Sequence, residues 1–402
     1  MQFFLDMKEN KLDEKVLKGF IDKHKVDCAR LEKLNDYYCG KHDILCRQQR
    51  GEWSPNNRIV CNFAKYITDT AVGYAFGNPV NLRFENNQEI MDAAFFDADM
   101  QGHDPELAKM LSVFGMGYEL VYVDEGKVGI AVVDPRNAFV VRDNTVRQKP
   151  IFGVVYGVEP GAEGINIVKV YDEKTITTYR GSGGRLKKDG VEEHLLGGVP
   201  LIEYWNNDEG MGDFEHVLSL IDAYNTLQSD RLNDKERFVD SVLLIRGCQF
   251  PDDESASKML TNRILELPYD GADAKYLTKT MNEAETEILR NAIAEDIHKF
   301  SQTPDFSDQN FSGNSTGVAI KYKLLSIENL AKVKERFFVS GLKERVGFFE
   351  RVLKLSGRTE GDCKLEGMGF NRVLPINEYE VAQTIETLHG IVPDEELLKR
   401  WE

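Results

Sequence analysis

The spacing of apolar residues predicts amphipathic helices in the first eighty residues. Between residues 11 and 39, apolar side chains recur every three or four positions among charged ones, which is typical of a helix with one buried face. Gly40 is a suitable end for this helix. Residues 58–76 repeat the spacing, and the Gly-Asn-Pro sequence that follows ends the second helix.

Residues 80–210 change to short β-rich runs separated by turn residues, a pattern that predicts an α+β domain with antiparallel strands. The expected strands are 119–123, 129–133, 139–141, 151–158, 166–171 and 175–179, after a helix at 105–114. The glycine-rich stretch 181–190 matches no phosphate-binding motif. We interpret it as a hairpin loop whose basic residues, Arg185, Lys187 and Lys188, lie at a solvated tip.

From residue 213 onwards, long helices flank a small insert. Helices are expected at 213–240, 282–302 and 317–355, the last with a kink at Gly341 or Gly347. The insert has strand-like runs at 242–245, 264–267 and 274–277 around a short helix at 255–262. One face of the second helix is apolar: Ala284, Ile288, Ala292, Ile293, Ile297 and Phe300. A strand pair at 365–374 and helices at 378–388 and from Pro393 complete the prediction.

Composition and charge exclude several classes of protein. The chain has 402 residues and a formal net charge of −17, from 50 basic and 67 acidic residues. Such a chain is not expected to clamp duplex DNA over a broad surface, because that needs clustered Lys and Arg. No apolar run of about 18 residues predicts a membrane span, and the N-terminus is not that of a secretory signal.

The six cysteines are scattered, which favours a reducing compartment over a disulfide framework. Cys39, His42 and Cys46 are close enough in sequence to suggest a zinc site, but small buried thiols are the preferred interpretation. No metalloprotease, hydrolase or nucleotide-binding motif is present. We therefore predict no enzymatic activity, no cofactor and no metal site.

Two sequence stretches carry a resemblance to a known family. Residues 37–44 read YYCGKHDI, and residues 55–80 read PNNRIVCNFAKYITDTAVGYAFGNPV. Together they resemble the portal (head–tail connector) proteins of tailed bacteriophages, in the siphophage branch. DPRNAFVVRD at 134–143 and MGFNRVLPINEYE at 368–380 resemble later segments of the same family, so the resemblance follows nearly the whole chain in order.

The resemblance implies an α+β portal fold with a mixed α/β wing, a two-helix stem, a small α/β clip and a long wing helix. The implied parts are wing 1–212, stem helices 213–240 and 281–303, clip 241–280, tunnel loop 304–316, long helix and returning wing strand 317–390, and the start of a crown 391–402. The family's crown helices would continue beyond Glu402. We expect either a truncated chain or a short crown.

The implied function is a ring, usually of twelve subunits, at one capsid vertex, through which genomic DNA is packaged and ejected. The implied partners are double-stranded DNA without sequence specificity, the terminase large subunit, a head–tail adaptor, and the major capsid and scaffold proteins, with no membrane. The protein would belong to the virion and assemble in the bacterial host cytoplasm. Two alternatives stay open: a capsid or tail protein that forms no channel, and an acidic metal-dependent nuclease using the carboxylates of 283–296.

Site residues follow from the resemblance and from charge. The expected DNA-facing residues of the tunnel loop and the helix after it are Asp305, Phe306, Ser307, Asp308, Gln309, Asn310, Phe311, Asn314, Lys321 and Lys323. The expected channel wall is Glu283, Glu287, Glu295 and Asp296. The expected partner-binding residues of the clip are Arg246, Asp252, Asp253 and Glu254.

The charge near these positions fits a channel better than a binder. Residues 270–300 contain seven acidic and four basic residues, and the loop 304–316 contains two acids and no base. A ring would multiply this charge, so the wall would repel DNA and hold it with little friction. Lys321 and Lys323 are candidates for brief phosphate contacts, although an ordinary solvated helix face is the favoured interpretation of both.

Overall fold

The computed structural model describes most of the chain. The described residues are 3–5, 12–49, 54–158, 165, 167–182, 185–239, 242–246, 273–277, 283–306, 317–359, 361–372, 382–383 and 386–388. The helices are α1 (Glu14–Tyr38), α2 (Phe63–Phe76), α3 (Gln88–Asp97), α4 (Met100–Phe114), α5 (Leu218–Val239), α6 (Glu283–Phe300), α7 (Gly317–Lys323) and α8 (Leu325–Leu355).

Thirteen strands are found in this described part. They are β1 (Phe3–Leu5), β2 (Asn81–Phe84), β3 (Met116–Asp124), β4 (Lys127–Val133), β5 (Ala138–Asp143), β6 (Pro150–Gly157), β7 (Ile167–Tyr171), β8 (Thr175–Ser182), β9 (Arg185–Glu193), β10 (Leu201–Trp205), β11 (Val242–Arg246), β12 (Asp273–Leu277) and β13 (Leu365–Gly369). The mixture of helices with mainly antiparallel sheets confirms the predicted α+β class.

Contacts divide the chain into two compact units. The larger unit contains residues 1–41, 62–218 and 297–402, and the smaller unit contains residues 42–61 and 219–296. This division does not follow the predicted wing boundary at 212, because residues 42–61 cluster with the smaller unit. The assignment of wing, stem and clip stays a prediction.

The larger unit contains three sheets and two main apolar clusters. A six-stranded sheet has the order β1-β5-β6-β7-β8-β9, a three-stranded sheet the order β10-β3-β4, and β13 pairs with β2. Apolar residues of α1, such as Leu17 and Ile21, pack on the six-stranded sheet because they share one helix face. The other cluster surrounds α8, with Phe338, Leu342 and Phe349 fully buried. In the smaller unit, β11 pairs with β12.

The glycine-rich stretch is mostly strand. Ser182 pairs with Arg185, and the antiparallel ladder continues to Thr175 opposite Glu193. Arg185, Lys187 and Lys188 therefore lie on β9 and not at a loop tip, which corrects the prediction.

The long C-terminal helix is interrupted at a different place from the one predicted. The break falls at Leu324, between α7 and α8, and α8 then runs through Gly341 and Gly347 for 31 residues, about 47 Å at 1.5 Å per residue. Gly341 has another reason to be glycine, since a Cβ there would lie 2.2 Å from the ring of Tyr204. It permits close packing and produces no kink.

Three other expectations change. The predicted helix at 105–114 begins earlier, at Met100, with Pro105 inside it. The predicted strand pair at 365–374 is a single described strand, β13, whose partner β2 is far away in sequence. The apolar face of α6 is not a buried face: Ile297 is buried, but Ile288 is 70% exposed and Phe300 is 52% exposed, since no described segment covers them.

Some predicted elements lie outside the described residues, namely the strand at 264–267, the helix at 255–262 and most of the helices after 378. The short stretches 382–383 and 386–388 are helical. None of the described helices is both long enough and apolar enough to cross a membrane.

Candidate functional site

An extended segment of the smaller unit lies along one face of α5. Three of its backbone N–H groups, at alternate residues, donate to side chains spaced four residues apart on the helix. The bonds run from Asn57 N to Asn233 Oδ1 (2.7 Å), from Ile59 N to Ser229 Oγ (2.9 Å) and from Cys61 N to Asn225 Oδ1 (2.8 Å). We call this arrangement the amide ladder.

The amide ladder works because two geometries coincide. Two residues of extended chain advance about 6.6 Å, and four residues of α-helix advance about 6.0 Å. Alternate N–H groups of an extended chain point the same way, so each meets the next acceptor on the helix. All three acceptors are buried, and each is satisfied by a neutral partner, which avoids the cost of burying a charge.

The amide ladder explains part of the sequence resemblance. Asn57 and Cys61 lie within the second matching stretch, and His42 of the first stretch is buried with Nδ1 2.8 Å from Asn225 Nδ2. These positions therefore organise the smaller unit. In the larger unit, Asn62 caps α2 through the Lys65 N–H and donates from its amide to the Tyr38 carbonyl.

The predicted wall residues of α6 divide into two groups. Glu287 pairs with Arg231 of α5 at 2.9 Å, and Glu283 pairs with Lys235 at 3.1 Å. Residue numbers rise along one helix as they fall along the other, so α5 and α6 are antiparallel. Glu287 also accepts from Arg290.

These pairs change the local charge count, because Arg231 and Lys235 lie outside the window 270–300. By contrast, Glu295 is exposed and Asp296 half-buried. Within the described part of the chain, neither has an ion-pair partner. Of the four predicted wall residues, Glu295 and Asp296 are therefore the two whose negative charge is not offset by an ion pair.

The start of the predicted tunnel loop is held by α2 within the larger unit. The Tyr66 hydroxyl donates to the Pro304 carbonyl and accepts from the Phe306 N–H, both at 3.0 Å. Burial raises the pKa of Tyr66, so the hydroxyl keeps its proton. His298 donates from Nδ1 to the Thr303 carbonyl at 3.0 Å and closes the end of α6.

The other predicted site residues are less informative. Phe306 is 45% exposed, Lys321 is exposed on α7, and Lys323 is half-buried. Arg246 is exposed at the end of β11. Outside the described residues lie Ser307, Asp308, Gln309, Asn310, Phe311, Asn314, Asp252, Asp253 and Glu254. The roles predicted for all these residues stay predictions.

A buried charge cluster in the larger unit was not predicted. The Arg345 guanidinium, fully buried on α8, binds Glu119 through Nε (2.9 Å) and Asp104 through Nη1 (2.6 Å). Tyr204 and His103 also contact the Glu119 carboxylate. Burial favours the protonated form of both carboxyls and keeps the pKa of Asp104 raised. For Glu119, the charge of Arg345 and the hydrogen bonds from His103 and Arg345 together outweigh burial, so its pKa is lowered.

Two similar clusters tie α8 to other parts of the larger unit. Lys334 Nζ lies 2.5 Å from Asp213, which also accepts from Ser112 and Asn206. Arg372, in the stretch 368–380, binds Glu328 and Glu335. The sequence could have predicted the Arg345 and Lys334 clusters, because both residues fall on the apolar face of α8. A charge at such a position must find a buried partner.

No metal site is found among the described residues, where no group of three His, Cys, Asp or Glu side chains could hold an ion. Cys39 and Cys46 are exposed, so the prediction that they are small buried thiols is wrong. His42 is bonded to Asn225, and the zinc interpretation of these residues finds no support. Glu283 and Glu287 are paired with basic residues, which weakens the nuclease hypothesis.

Comparison with known proteins agrees with the resemblance. A family model described as "Phage portal protein, SPP1 Gp6-like" matches residues 17–402. The portal protein of Bacillus phage SPP1 is 23% identical over 410 residues, covering 93% of this chain and 80% of that protein. The portal protein of Clostridium phage phiCD119 is 24% identical over 417 residues, covering 93% and 90%.

A solved structure, "Neck of empty GTA particle computed with C6 symmetry", contains a chain with a TM-score of 0.45 and 13% identity. The match covers 83% of this chain and 87% of that one. A TM-score below 0.5 is too weak to establish a common fold.

The family model and the two portal relatives define the class as the portal proteins of tailed phages, which are structural proteins and not enzymes. The chain belongs to the SPP1 Gp6-like phage portal protein family. The predicted family and the predicted portal function are thereby confirmed.

Proposed function

We propose that the chain assembles into a ring at one vertex of a phage capsid, through which genomic DNA is packaged and later ejected. The observation that carries this proposal is the family match over residues 17–402. The proposed ring has twelve subunits and docks the terminase motor first and the head–tail adaptor afterwards. It contacts the major capsid and scaffold proteins and assembles in the host cytoplasm.

The antiparallel pair α5 and α6 is proposed as the stem, with β11 and β12 belonging to the clip between them. The ion pairs at 231–287 and 235–283 support this role, because they lie between two antiparallel helices. The exposed apolar residues of α6, including Ile288 and Leu289, are consistent with burial against neighbouring subunits in a ring.

The channel wall in this proposal is less acidic than the sequence count suggests. Glu283 and Glu287 are offset by basic residues, and the repulsion of DNA falls to Glu295 and Asp296. Twelve copies of two carboxylates still give a negative ring. Such a ring would keep the phosphate backbone from binding tightly to the wall during translocation.

The loop 304–316 is proposed to contact DNA. Tyr66 supports this role because its hydroxyl bonds to the backbone of residues 304 and 306 and so fixes the start of the loop. Deleting residues 307–312 is expected to impair packaging or retention of DNA in an infection assay while ring assembly stays intact. Full packaging by the deletion variant would contradict the role of the loop.

Negative-stain electron microscopy of the purified protein tests the proposed ring. Particles with a central hole wide enough for duplex DNA are expected. A discrete small particle with no hole would favour a capsid or tail protein without a channel, and magnesium-dependent cleavage of DNA by such a particle would favour a nuclease.

A further inference from the structure

One edge of β2 is closed by a side chain. On its other edge β2 pairs with β13. On the free edge, Phe84 N donates to Gln88 Oε1 at 2.7 Å, and Gln88 Nε2 donates to the Leu82 carbonyl at 3.0 Å. The carboxamide of Gln88 therefore occupies the position where a third strand would bind.

The bonding pattern is one that a parallel strand can reproduce. In a parallel pair, one residue donates to the carbonyl before its partner and accepts from the N–H after it. The Gln88 carboxamide makes this pair of bonds around Arg83. An extended peptide running parallel to β2 could make the same two bonds with its own backbone. Gln88 would keep its second acceptor, Asp92, at 2.9 Å.

A groove lies directly beside this edge. The cavity has a volume of about 320 Å³ and is lined by β2, the end of α3 and the start of α4. This volume is at the lower end of the range for ligand pockets, roughly 300–1,000 Å³. Leu82, Phe95 and Met100 form its buried apolar surface, and Phe96 is 86% exposed at its margin.

The charged residues that line the groove are all acidic. Asp92 and Asp99 both line it, both are exposed, and no Lys or Arg is among its described lining residues. An apolar cavity between carboxylates favours a ligand that combines an apolar side chain with basic ones. Backbone bonding at the edge would supply affinity, and the cavity and carboxylates would supply selectivity.

We propose that the groove beside β2 binds an extended basic peptide of a partner protein by strand addition. The peptide runs parallel to β2 in place of the Gln88 carboxamide, with an apolar side chain in the cavity and a Lys or Arg facing Asp92 and Asp99. The proposal does not rest on the portal function, because the edge, the cavity and the charges all lie within one compact unit.

The test uses the full chain and a fluorescein-labelled probe peptide, Ac-KVTLKVTK-NH2, titrated by fluorescence polarisation at low ionic strength. We expect saturable binding that weakens at least tenfold when alternate backbone nitrogens of the probe are N-methylated. Phe96→Ser should weaken binding about tenfold, and Asp92→Asn with Asp99→Asn should do the same. Val146→Ser, at a fully exposed position elsewhere in the larger unit, should leave it unchanged.

Gln88→Ala separates strand addition from simple contact. It is expected to tighten binding about threefold, because the peptide no longer has to displace the carboxamide; a tenfold loss would contradict strand addition. Absence of saturable binding, or equal binding of the N-methylated probe, would overturn the proposal. A crosslink from Phe96→benzoylphenylalanine to a second copy of the chain would also overturn it, since the groove would then be an interface between subunits.

Discussion

Each of the two compact units is stabilised internally by a different kind of polar interaction. In the larger unit, buried charges converge on α8, where Arg345 binds Glu119 and Asp104 and none of the three side chains is more than 5% exposed. In the smaller unit, the buried side chains of the amide ladder, Asn225, Ser229 and Asn233, are neutral, and the charged pairs between α5 and α6 are partly exposed. A buried charge is costly to leave unpaired, whereas a neutral amide costs less and an exposed pair almost nothing. The two units should therefore respond very differently to the loss of one polar partner.

The largest effect is expected from Arg345→Met. This variant leaves two carboxyls buried without their counter-charge, so the free energy of unfolding should fall by about 3–5 kcal/mol, as measured by urea denaturation. Arg180→Met is the matched control, because its pair with Asp189 is about half exposed. The control should change stability by less than about 1 kcal/mol.

Removing all three buried charges tests the same cluster in a second way. The triple variant Arg345→Met, Glu119→Gln and Asp104→Asn should recover a large part of the loss, because no buried charge remains. If Arg345→Met alone cost less than about 1 kcal/mol, the buried cluster would not be what anchors α8.

The next effect is expected in the amide ladder. Asn225→Ala removes the acceptor of the Cys61 N–H and the partner of His42, so one partly buried and one buried polar group lose a hydrogen bond. We expect a loss of about 2–3 kcal/mol, with increased hydrogen exchange at the amides of residues 57, 59 and 61. Thr226→Ala, at an exposed position on the same helix, is the control. Unchanged exchange at these three amides in Asn225→Ala would disprove the ladder.

A smaller, pH-dependent effect is expected at His24 in the larger unit. Burial lowers the pKa of His24 to about 4, and its Nδ1 lies 2.6 Å from the Tyr156 hydroxyl. The unfolded chain takes up a proton below about pH 6.5, whereas the folded chain does so only near pH 4. The folded state is therefore destabilised as pH falls between these values.

Between pH 7 and pH 5 the His24 contribution should be about 2 kcal/mol, at 1.36 kcal/mol per pH unit. Unfolding of His24→Gln should show a pH dependence weaker by that amount. Parallel pH profiles for the two proteins would contradict a buried neutral His24.

The smallest effect is expected for the pair between α5 and α6. Both Lys235 and Glu283 are about half exposed, so Lys235→Met should cost less than about 1 kcal/mol. The difference from the parent chain should disappear near 1 M NaCl, where the screening length is about 3 Å. A loss as large as that of Arg345→Met would remove the contrast between the two units.

The sequence predicted the positions of elements better than their environment. Helices α1, α5 and α6 begin and end within a few residues of the predicted bounds, except where α5 is preceded by the short 3-10 turn Glu215–Val217. Periodicity in α6 predicted an apolar face, but periodicity cannot say whether another segment covers it, and no described residue of this chain covers Ile288. Strand β2 is four residues long and pairs with a strand some 280 residues later, and such long-range pairing leaves no local signal.

The candidate site shows the same difference between what the sequence could predict and what it could not. The stretches at 37–44 and 55–80 identified the family, yet their polar residues support folding through the amide ladder and the cap of α2. Counting charges along 270–300 could not reveal that Arg231 and Lys235 offset two of the acids, because these lie on another helix. The role of Tyr66 was not predicted, because its hydroxyl bonds to backbone groups, which every residue has.

The most direct test of the account is a cryo-electron microscopy reconstruction of the purified ring at side-chain resolution. The account predicts an open axial channel lined by α6, with Glu295 facing the bore and the loop after Phe306 projecting towards the axis. A ring closed at its centre, or one with α6 on its outer surface and Glu295 away from the channel, would contradict it.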